Sequence, residues 1–355
     1  MENRIHNLVK VLPEEFEAAI ITSDVNRYYF LGMRSSAGTL VVLKDKAYFI
    51  IDFRYIELAK RTVKNAEVIL QGKLYEQVKE ILSKHNVKTV WTEQTLSLSS
   101  YNAFKKALEG VELSLDCPLT KEIETLRAIK TKEELEYIQT AQKFTDAGFK
   151  RICEVLAAGK KEKDMAVELE YFMKKEGAED LAFSTILVSG KNSSLPHGVP
   201  GDKIIEKGDF ITMDFGSKYC GYCTDMTRTV AIGSVTDEMK HVYDTVLTAQ
   251  LKALDVIKAG VVCGDVDKVA RDYIYQNGFE GRFGHGLGHS VGIEIHESPR
   301  FAQNVKDVLK EGMVMTVEPG IYLPEKFGVR IEDTVYVTET GLINVAKSPK
   351  ELIIL

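Results

Sequence analysis

GDFITMDFGSKYCGYCTDMTRTVAIG, residues 208–233, predicts two neighbouring antiparallel strands joined by a turn. The first alternates apolar and polar residues up to Phe215, and the second follows a turn that contains glycine and lysine. Asp214 lies within the first strand and Asp225 opens the second. A buried carboxylate without a partner is costly, and two on adjacent strands repel each other unless a cation lies between them. Taken alone, the pair is explained more simply by a turn residue at Asp225 and a partly exposed Asp214.

Two more acidic residues interrupt apolar strands further along the chain. Glu318 ends the apolar run in GMVMTVEPGIY, residues 312–322, and Glu332 lies among apolar residues in GVRIEDTVYVTE, residues 328–339. The alternation of a strand would place Arg330 and Glu332 on one face. Four acids at positions that strand patterning disfavours, in two hairpin-like units, are poorly explained as four accidents. They indicate a shared cation site.

Three histidines lie between the two acidic units, in GHGLGHSVGIEIHESP, residues 284–299. A flexible polar loop would also contain such residues, so His285, His289 and His296 do not by themselves make a site. The glycines of this stretch favour a functional role, because they let the backbone approach a bound group closely. Oxygen-rich ligands with a single imidazole suit Mn²⁺, Co²⁺ or Fe²⁺ better than a structural zinc held by thiolates.

The ordered set of acids and histidine, with HGLGH, IHE and VEPG around it, resembles the creatinase/methionine-aminopeptidase, or pita-bread, metallopeptidases. Within them it is similar to the proline-specific branch, aminopeptidase P and prolidase. The resemblance covers the whole chain and includes NRYYFLG and DFRYIELA near the start. It implies an α/β protein of two domains. These are a creatinase-like N-terminal α/β domain over residues 1–124 and a pita-bread α+β catalytic domain with pseudo-twofold duplication over residues 125–355.

The resemblance also implies two divalent metal ions per chain, with Mn²⁺ favoured and Co²⁺, Fe²⁺ or Zn²⁺ as alternatives. Asp225 and Glu332 would bridge the ions. Asp214 would complete the shell of one ion, and His289 and Glu318 that of the other. Glu318 would in addition take up a proton from the attacking water.

Further positions match residues that contact substrate in this family. His197 in SLPHG and His296 in IHE match its substrate-contacting histidines, either of which would donate a hydrogen bond to the oxyanion. His285 matches a less essential pocket position, and Arg330 an arginine that hydrogen-bonds acidic groups near the metals. Arg300 would clamp the carboxylate of a dipeptide, because guanidinium pairs with carboxylate in a bidentate way, or it is a solvated surface residue.

The expected substrate is a small peptide with proline at the second position, cut at its N-terminal Xaa-Pro bond. Whether the enzyme is a strict Xaa-Pro dipeptidase or also an Xaa-Pro aminopeptidase stays open. A non-catalytic peptide-binding relative is the alternative of another class, disfavoured because such relatives lose ligands. Family members are usually homodimers, and the loop GMRSSAG, residues 32–38, would then wall the partner's cleft.

The first 120 residues predict a separate α/β domain. The apolar runs AAIIT, YYFLG, TLVVL and AYFIID within residues 18–53 read as strands, followed by the helical RYIELAKRTVKN. Thr131 with Glu134 predicts a capping box that starts a helix, which places a domain boundary near 120–128. An offset of 101 residues hints at a duplication, with chance as the alternative. In that comparison Val155, Ala158, Gly159, Asp164 and Gly177 recur as Val256, Ala259, Gly260, Asp265 and Gly278.

Composition excludes other classes of partner. A formal charge of −6 gives no electrostatic attraction for nucleic acid or an anionic membrane. No segment resembles a signal peptide or a membrane span. Five scattered cysteines favour a reducing compartment, so the cytoplasm is expected. The Cys220-Gly-Tyr-Cys223 pair is read as a hairpin turn with two incidental thiols rather than a redox or zinc motif.

Overall fold

The computed structural model describes residues 4–355, so the first three residues of the predicted N-terminal domain lie outside it. The chain divides into two compact units. One ends at Arg127 and the other spans Ala128–Leu355. No helix among the described residues has both the length and the apolar content needed to cross a bilayer.

The first unit is built on a mixed six-stranded sheet in the order β4-β3-β2-β1-β5-β6. β1, β2 and β3 pair antiparallel, while β4, β5 and β6 are added in parallel through helical crossovers. Such crossovers cover the sheet, which explains why β2 and β3 are buried throughout. The strands are β1 (Ala18–Ile21), β2 (Thr39–Leu43), β3 (Ala47–Ile51), β4 (Glu67–Leu70), β5 (Thr89–Thr92) and β6 (Glu112–Ser114). The helices are α1 (Arg4–Val11), α2 (Asp24–Leu31), α3 (Ile56–Thr62), α4 (Leu74–Lys84), α5 (Leu98–Ala107) and α6 (Leu119–Ala128).

The run YYFLG is a helix and not the strand expected from its apolar residues. It forms the end of α2, whose first turn is capped by the Ser23 side chain, an acceptor for the N–H of Asn26. Gly32 closes the helix in the left-handed region at φ 66° and donates its N–H to the carbonyl of Tyr28. The cap residues at both ends therefore decide the conformation of a run that is too short to have a clear period.

The second unit contains two helix pairs, each followed by strands. The first half has α7 (Lys132–Val155), α8 (Glu162–Glu176), β7 (Asp180–Leu181), β8 (Ile186–Ser189), a 3₁₀ turn (Gly190–Ser194), β9 (Phe210–Phe215), β10 (Ser217–Tyr219), β11 (Tyr222–Cys223) and β12 (Met226–Ala231). The second half has α9 (Asp237–Val256), α10 (Cys263–Gln276), β13 (Gly288–Ser290), β14 (Glu297–Phe301), β15 (Val314–Val317), β16 (Gly320–Leu323), β17 (Phe327–Arg330), β18 (Asp333–Val337) and β19 (Leu342–Asn344). The predicted capping box of Thr131 and Glu134 opens α7.

The helix pairs repeat at the offset that the sequence suggested. α8 begins at Glu162 and α10 at Cys263, 101 residues later. The glycine before each helix, Gly159 or Gly260, has φ 90° and donates its N–H at 2.8 Å to the carbonyl of Ile205 or Leu309, respectively. This positive φ favours glycine over other residues, which is why this position kept its identity in both halves.

The sheets repeat in the same way. β8, β9 and β12 form one antiparallel sheet, and β13, β15 and β18 are the matching strands of the five-stranded sheet β14-β13-β15-β18-β19. Asp214 is the fifth residue counted from the start of β9, and Glu318 is the fifth from the start of β15. Asp225 and Glu332 each directly precede the strand that follows, β12 or β18. The four acids are therefore two pairs of equivalent positions.

Glu332 does not share one continuous strand with Arg330, as the alternation had suggested. β17 ends at Arg330 and pairs with β16, whereas β18 begins at Asp333 and pairs with β15. The chain changes partners at Glu332. Its N–H bonds instead to the carbonyl of Thr227 in β12, which ties the turn to the first half.

Candidate metal centre

All ten residues singled out by sequence line one cavity of about 650 Å³ in the second unit. Other walls are apolar or aromatic, with Phe183, Val199 and Ile295 among them. The polar set consists of Asp214, Asp225, His289, Glu318, Glu332, His197, His285, His296, Arg300 and Arg330. Residues that are far apart in sequence thus meet at one place.

The centre of the cavity has the donor set of a cation site. One ligand atom each from Asp225, His289 and Glu332 lies within 4.8 Å of the others. Among the described residues, three buried carboxylate oxygens here have no hydrogen-bond partner: Oδ1 of Asp214, Oδ1 of Asp225 and Oε1 of Glu332. Buried charges are normally paired or bound to metal, so these oxygens fit a divalent cation.

The electrostatics point the same way. Burial, reinforced by Glu332, Asp214 and Glu318, holds the pKa of Asp225 well above its usual value. Burial and the neighbouring acids do the same to the pKa of Glu332, and burial raises the pKa of Glu318 to about 8. Like charges at this spacing disfavour ionisation. A divalent cation would reverse that preference by favouring the charged forms.

His289 is held in the form that a metal ligand requires. Its Nδ1 lies 3.1 Å from the carbonyl of Ser290, so Nδ1 carries the proton and Nε2 has the free lone pair. Nε2 faces Asp225 Oδ2 at 3.7 Å and Glu318 Oε1 at 3.5 Å. Burial lowers the pKa of His289 to about 4, which keeps the ring neutral near neutral pH.

Arg330 connects several walls of the site. Its Nη2 donates to Asp214 Oδ2 at 2.7 Å, and its Nη1 donates to Tyr322 Oη at 2.8 Å. Tyr322 lies 2.9 Å from Nε2 of His285, whose Nδ1 lies 2.8 Å from the carbonyl of Gly286. The expected contact of Arg330 with an acid is thus present, and its partner is Asp214.

Sequence reasoning missed the residues that orient the acids. Tyr322 gave no signal because one tyrosine in an apolar strand is ordinary. Thr227 donates to Glu332 Oε2 at 2.7 Å and receives a hydrogen bond from Nε of Arg330 at 3.2 Å. The Thr334 hydroxyl donates to the carbonyl of Asp225 at 2.7 Å. A buried threonine two residues from each acid was the available signal, visible as T-x-D at 212–214, D-x-T at 225–227, T-x-E at 316–318 and E-D-T at 332–334.

Three of the residues expected to contact substrate lie at the rim of the cavity. His197, His296 and Arg300 are exposed, and Arg300 stands opposite His289 across β13 and β14. The rings of His289 and His296 meet edge to face with centroids 4.4 Å apart. Next to His296, the carboxylate of Glu297 forms a buried ion pair with Lys130 at 3.1 Å.

Behind Glu332, the next residue lies in a different environment. Asp333 Oδ1 accepts from Arg228 Nη2 at 2.7 Å, and Oδ2 accepts from Lys350 Nζ at 2.7 Å. Arg228 also donates to the carbonyls of Ser348 and Pro349. We call Arg228, Asp333 and Lys350 the charge cluster. It fixes the segment after β19 against the strands that carry the acids.

The Cys220 and Cys223 thiols lie on a hairpin, as predicted. β10 and β11 pair across it, Cys220 has φ 43° in the turn, and Cys223 Sγ lies 3.5 Å from the carbonyl of Ile293. The Cys223 N–H donates to the carbonyl of Gly292, which links the hairpin to the stretch that carries His296.

Added Mn²⁺ is expected to raise the thermal unfolding temperature more at about pH 8 than at about pH 5. Burial raises the pKa of Glu318 from its ordinary 4.5 to about 8. Between these values the folded protein holds a proton that the unfolded chain has released, so without metal its stability falls as pH rises. A cation offsets that loss. Thermal melts with Mn²⁺ or with chelator measure the effect, and an equal shift at both pH values would contradict it.

Comparison with known proteins places these features in a family context. Residues 136–339 match the family described as metallopeptidase family M24, and residues 4–129 match the creatinase/prolidase N-terminal domain. The chain is 40% identical over 355 residues to a protein of Pyrococcus furiosus named Xaa-Pro dipeptidase, covering 99% of this chain and 100% of that protein.

Two solved structures are similar over almost the whole chain. One, a Xaa-Pro dipeptidase from Bacillus anthracis, gives a TM-score of 0.96 at 41% identity and covers 99% of each chain. The other, an X-Pro aminopeptidase from Thermotoga maritima, gives a TM-score of 0.91 at 36% identity and covers 99% of this chain and 100% of that one. The likeness extends over both units.

Proposed function

The chain belongs to metallopeptidase family M24, with a creatinase/prolidase N-terminal domain, and from this premise we propose that it hydrolyses the N-terminal Xaa-Pro bond of small peptides. One observation carries the proposal. Three acids, each with a buried oxygen that has no hydrogen-bond partner among the described residues, line the same cavity as His289, two exposed histidines and an arginine. Relatives of both names, dipeptidase and aminopeptidase, support the choice of proline.

For the cofactor we propose two divalent ions, with Mn²⁺ preferred over Co²⁺, Fe²⁺ or Zn²⁺. Asp225 and Glu332 occupy the centre and would bridge them. Asp214 would complete one shell, and His289 with Glu318 the other. The chemistry of the donors supports this, because four carboxylates and one imidazole match oxygen-preferring cations. Residues 125–355 would hold the catalytic machinery, with residues 1–124 as a scaffold or substrate wall.

When bound, divalent cations would acidify a water molecule and polarise the scissile carbonyl. Glu318 would be held ionised by the cations, so its carboxylate could take up a proton from that water and release it later. Partial desolvation at the cavity rim and nearby Arg300 lower the pKa of His296, so its neutral ring would donate a hydrogen bond to the oxyanion. His197 is the alternative donor. Arg330 balances the charge of Asp214.

Substrate selection would come from the walls. Phe183, Val199 and Ile295 offer apolar surface to the proline ring beside His197 and His296. The substrate amine would meet the acidic residues.

We further propose a homodimer in which the loop 32–38 forms a wall of the partner's cleft. We also propose a cytoplasmic location.

The direct test compares hydrolysis of Ala-Pro with that of Ala-Ala by the Mn²⁺-loaded protein. We expect Ala-Pro to be cut and Ala-Ala to be spared. A protein that binds Ala-Pro and cuts no Xaa-Pro peptide with any of the four metals would support the alternative of a non-catalytic peptide-binding member. Equal hydrolysis of both dipeptides would contradict the proline preference.

Replacing Arg300 with alanine is expected to raise KM for Ala-Pro by about 10- to 100-fold, the value of one charge-assisted hydrogen bond. A peptide such as Ala-Pro-Ala-Ala has its carboxylate further away, so its KM should change little. Steady-state kinetics on both substrates measure the split. Arg61, an exposed arginine of the first unit, gives the control variant Arg61→Ala. A similar loss on both peptides would reject the clamp and favour a general role.

A further inference from the structure

Glu162, at the start of α8, is a buried carboxylate surrounded by neutral donors. It is 0% exposed. One oxygen accepts from the N–H of Ser189 at 2.7 Å and from the hydroxyl of the same residue at 2.9 Å. Asn192 Nδ2 lies 3.2 Å from both oxygens, and the N–H of Gly201 lies 3.3 Å from the second. One side chain therefore holds both ends of a single segment.

That segment, residues 189–201, carries His197. Its middle rests on β17, since the Gly328 N–H donates to Ser193 Oγ at 2.9 Å and Arg330 Nη1 donates to the carbonyl of Pro196 at 3.3 Å. Beyond Pro196, His197 and Val199 are exposed at the cavity rim, and Val199 retains 83% of its accessible surface. The position of His197 thus depends on how firmly the two ends are held.

The second half of the unit shows that the fold itself does not require this carboxylate. The equivalent of Glu162 is Cys263, whose N–H donates to the carbonyl of Asp307 at 2.8 Å, as that of Glu162 donates to Lys203 at 3.1 Å. The backbone pairing at the helix start is therefore the same with either side chain. The carboxylate is an addition specific to the half that carries His197.

The two rim histidines are held in different ways. The stretch that carries His296 leads into β14, which pairs with β13, and the Lys130–Glu297 ion pair adjoins it. The stretch that carries His197 is a 3₁₀ turn followed by a loop. Hydrogen bonds to Glu162 hold the His197 stretch in place, whereas pairing of β14 with β13 holds the His296 stretch.

We propose that Glu162 is a positioning residue that fixes segment 189–201 and so places His197 against the peptide substrate. The proposal rests on the proposed function for its substrate. Glutamine at this position has the same shape, but its NH₂ group would face the donor groups of the segment. Either Ser189 or Gly201 would lose its acceptor, because the amide NH₂ and the N–H of the segment are both donors and cannot bond to each other.

The test uses the full-length Glu162→Gln variant. We expect kcat/KM for Ala-Pro to fall by ~10- to 100-fold, the cost of a displaced substrate-contacting group. Hydrogen exchange should speed up across residues 190–201. In a His197→Ala background the same change should have almost no further effect on kcat/KM, since residues that act through one another are not additive.

Glu93 gives a matched control. It is 1% exposed and likewise accepts from two backbone N–H groups, of Thr22 and Ser23, and from the amide of Asn26. Glu93→Gln should lower stability without changing exchange across residues 190–201. This separates loss of a buried carboxylate from loss of this one.

Two results would overturn the proposal: unchanged exchange in the segment, or the same fold-loss with and without His197. Should Glu162→Gln fail to fold, Asn192→Ala removes one donor of the clamp and must show the same two signatures on a smaller scale. If the wild-type protein cuts no Xaa-Pro peptide, the proposed function fails. The exchange comparison still decides whether Glu162 holds the segment.

Discussion

Replacing Glu332 with glutamine is expected to abolish peptide hydrolysis and, in the absence of metal, to stabilise the protein. Glu332 lies at the centre of the acids, and its Oε1 has no hydrogen-bond partner among the described residues. In the proposed metal centre this change removes a bridging ligand, so turnover should fall by at least ~100- to 1000-fold. The same change removes the cost of keeping this carboxyl, charged or protonated, among other buried acids, worth about 1–3 kcal/mol.

Metal analysis, kinetics and thermal melts with chelator test both halves of this expectation. The variant should bind less Mn²⁺ per chain than the wild type and melt at a higher temperature without metal. Glutamine keeps the hydrogen bond from Thr227, so shape is not the variable. A variant that melts below the wild type under chelator would show that Glu332 contributes to the fold through some contact other than metal.

Replacing the neighbouring residue, Asp333, with asparagine is expected to have the opposite effect on stability. Burial alone would raise the pKa of Asp333, but Arg228 and Lys350 outweigh it and hold that pKa below its usual 3.8. Removing one partner of a buried ion pair leaves the others uncompensated, which costs about 3–5 kcal/mol. The stability that Asp333 supplies is present above pH 3.8 and is lost as pH falls below it.

Denaturant unfolding at neutral pH and at a pH below that value measures this effect. The loss caused by Asp333→Asn should be large at neutral pH and shrink in acid, where the wild-type carboxyl is itself protonated. Two adjacent buried carboxylates thus serve as controls for each other. Equal destabilisation by both variants would contradict the distinction between a paired and an unpaired charge.

The sequence was sufficient to find the acids because each one breaks an apolar pattern that burial should preserve. Asp214 stands out between the apolar Met213 and Phe215, and Glu332 stands out near the apolar Val329, Ile331 and Val335. The sequence could not show that the chain changes partners at Glu332, since strand alternation does not record which strand lies alongside. The prediction of a strand at YYFLG was wrong. Five residues are too few to show a helical or strand period, and the cap residues Ser23 and Gly32 favour a helix.

The oriented contacts were beyond prediction for a different reason. Tyr322, Thr227 and Glu162 are common residue types in ordinary positions, and only the folded chain brings them to the acids or to the His197 segment. The duplication was visible because Gly159 and Gly260 share a backbone conformation that favours glycine. The spacing between equivalent residues of the two halves is 101 at the helices and 104 at Asp214 and Glu318. An alignment at a constant spacing of 101 therefore does not pair the acids.

The charge cluster also orders events during synthesis of the protein. Arg228 and Asp333 are separated by 105 residues. At about 5–20 residues per second, the ribosome delivers the arginine roughly 5–20 s before the carboxylate that receives it, and Lys350 later still. Throughout that interval the first half of the second unit carries Asp214 and Asp225 without Glu318 and Glu332, which lie in the second half. If the gene were split between the two halves of the second unit, the N-terminal fragment would lack Asp333 and Lys350. Reconstitution from the two fragments should therefore be slow and dependent on concentration.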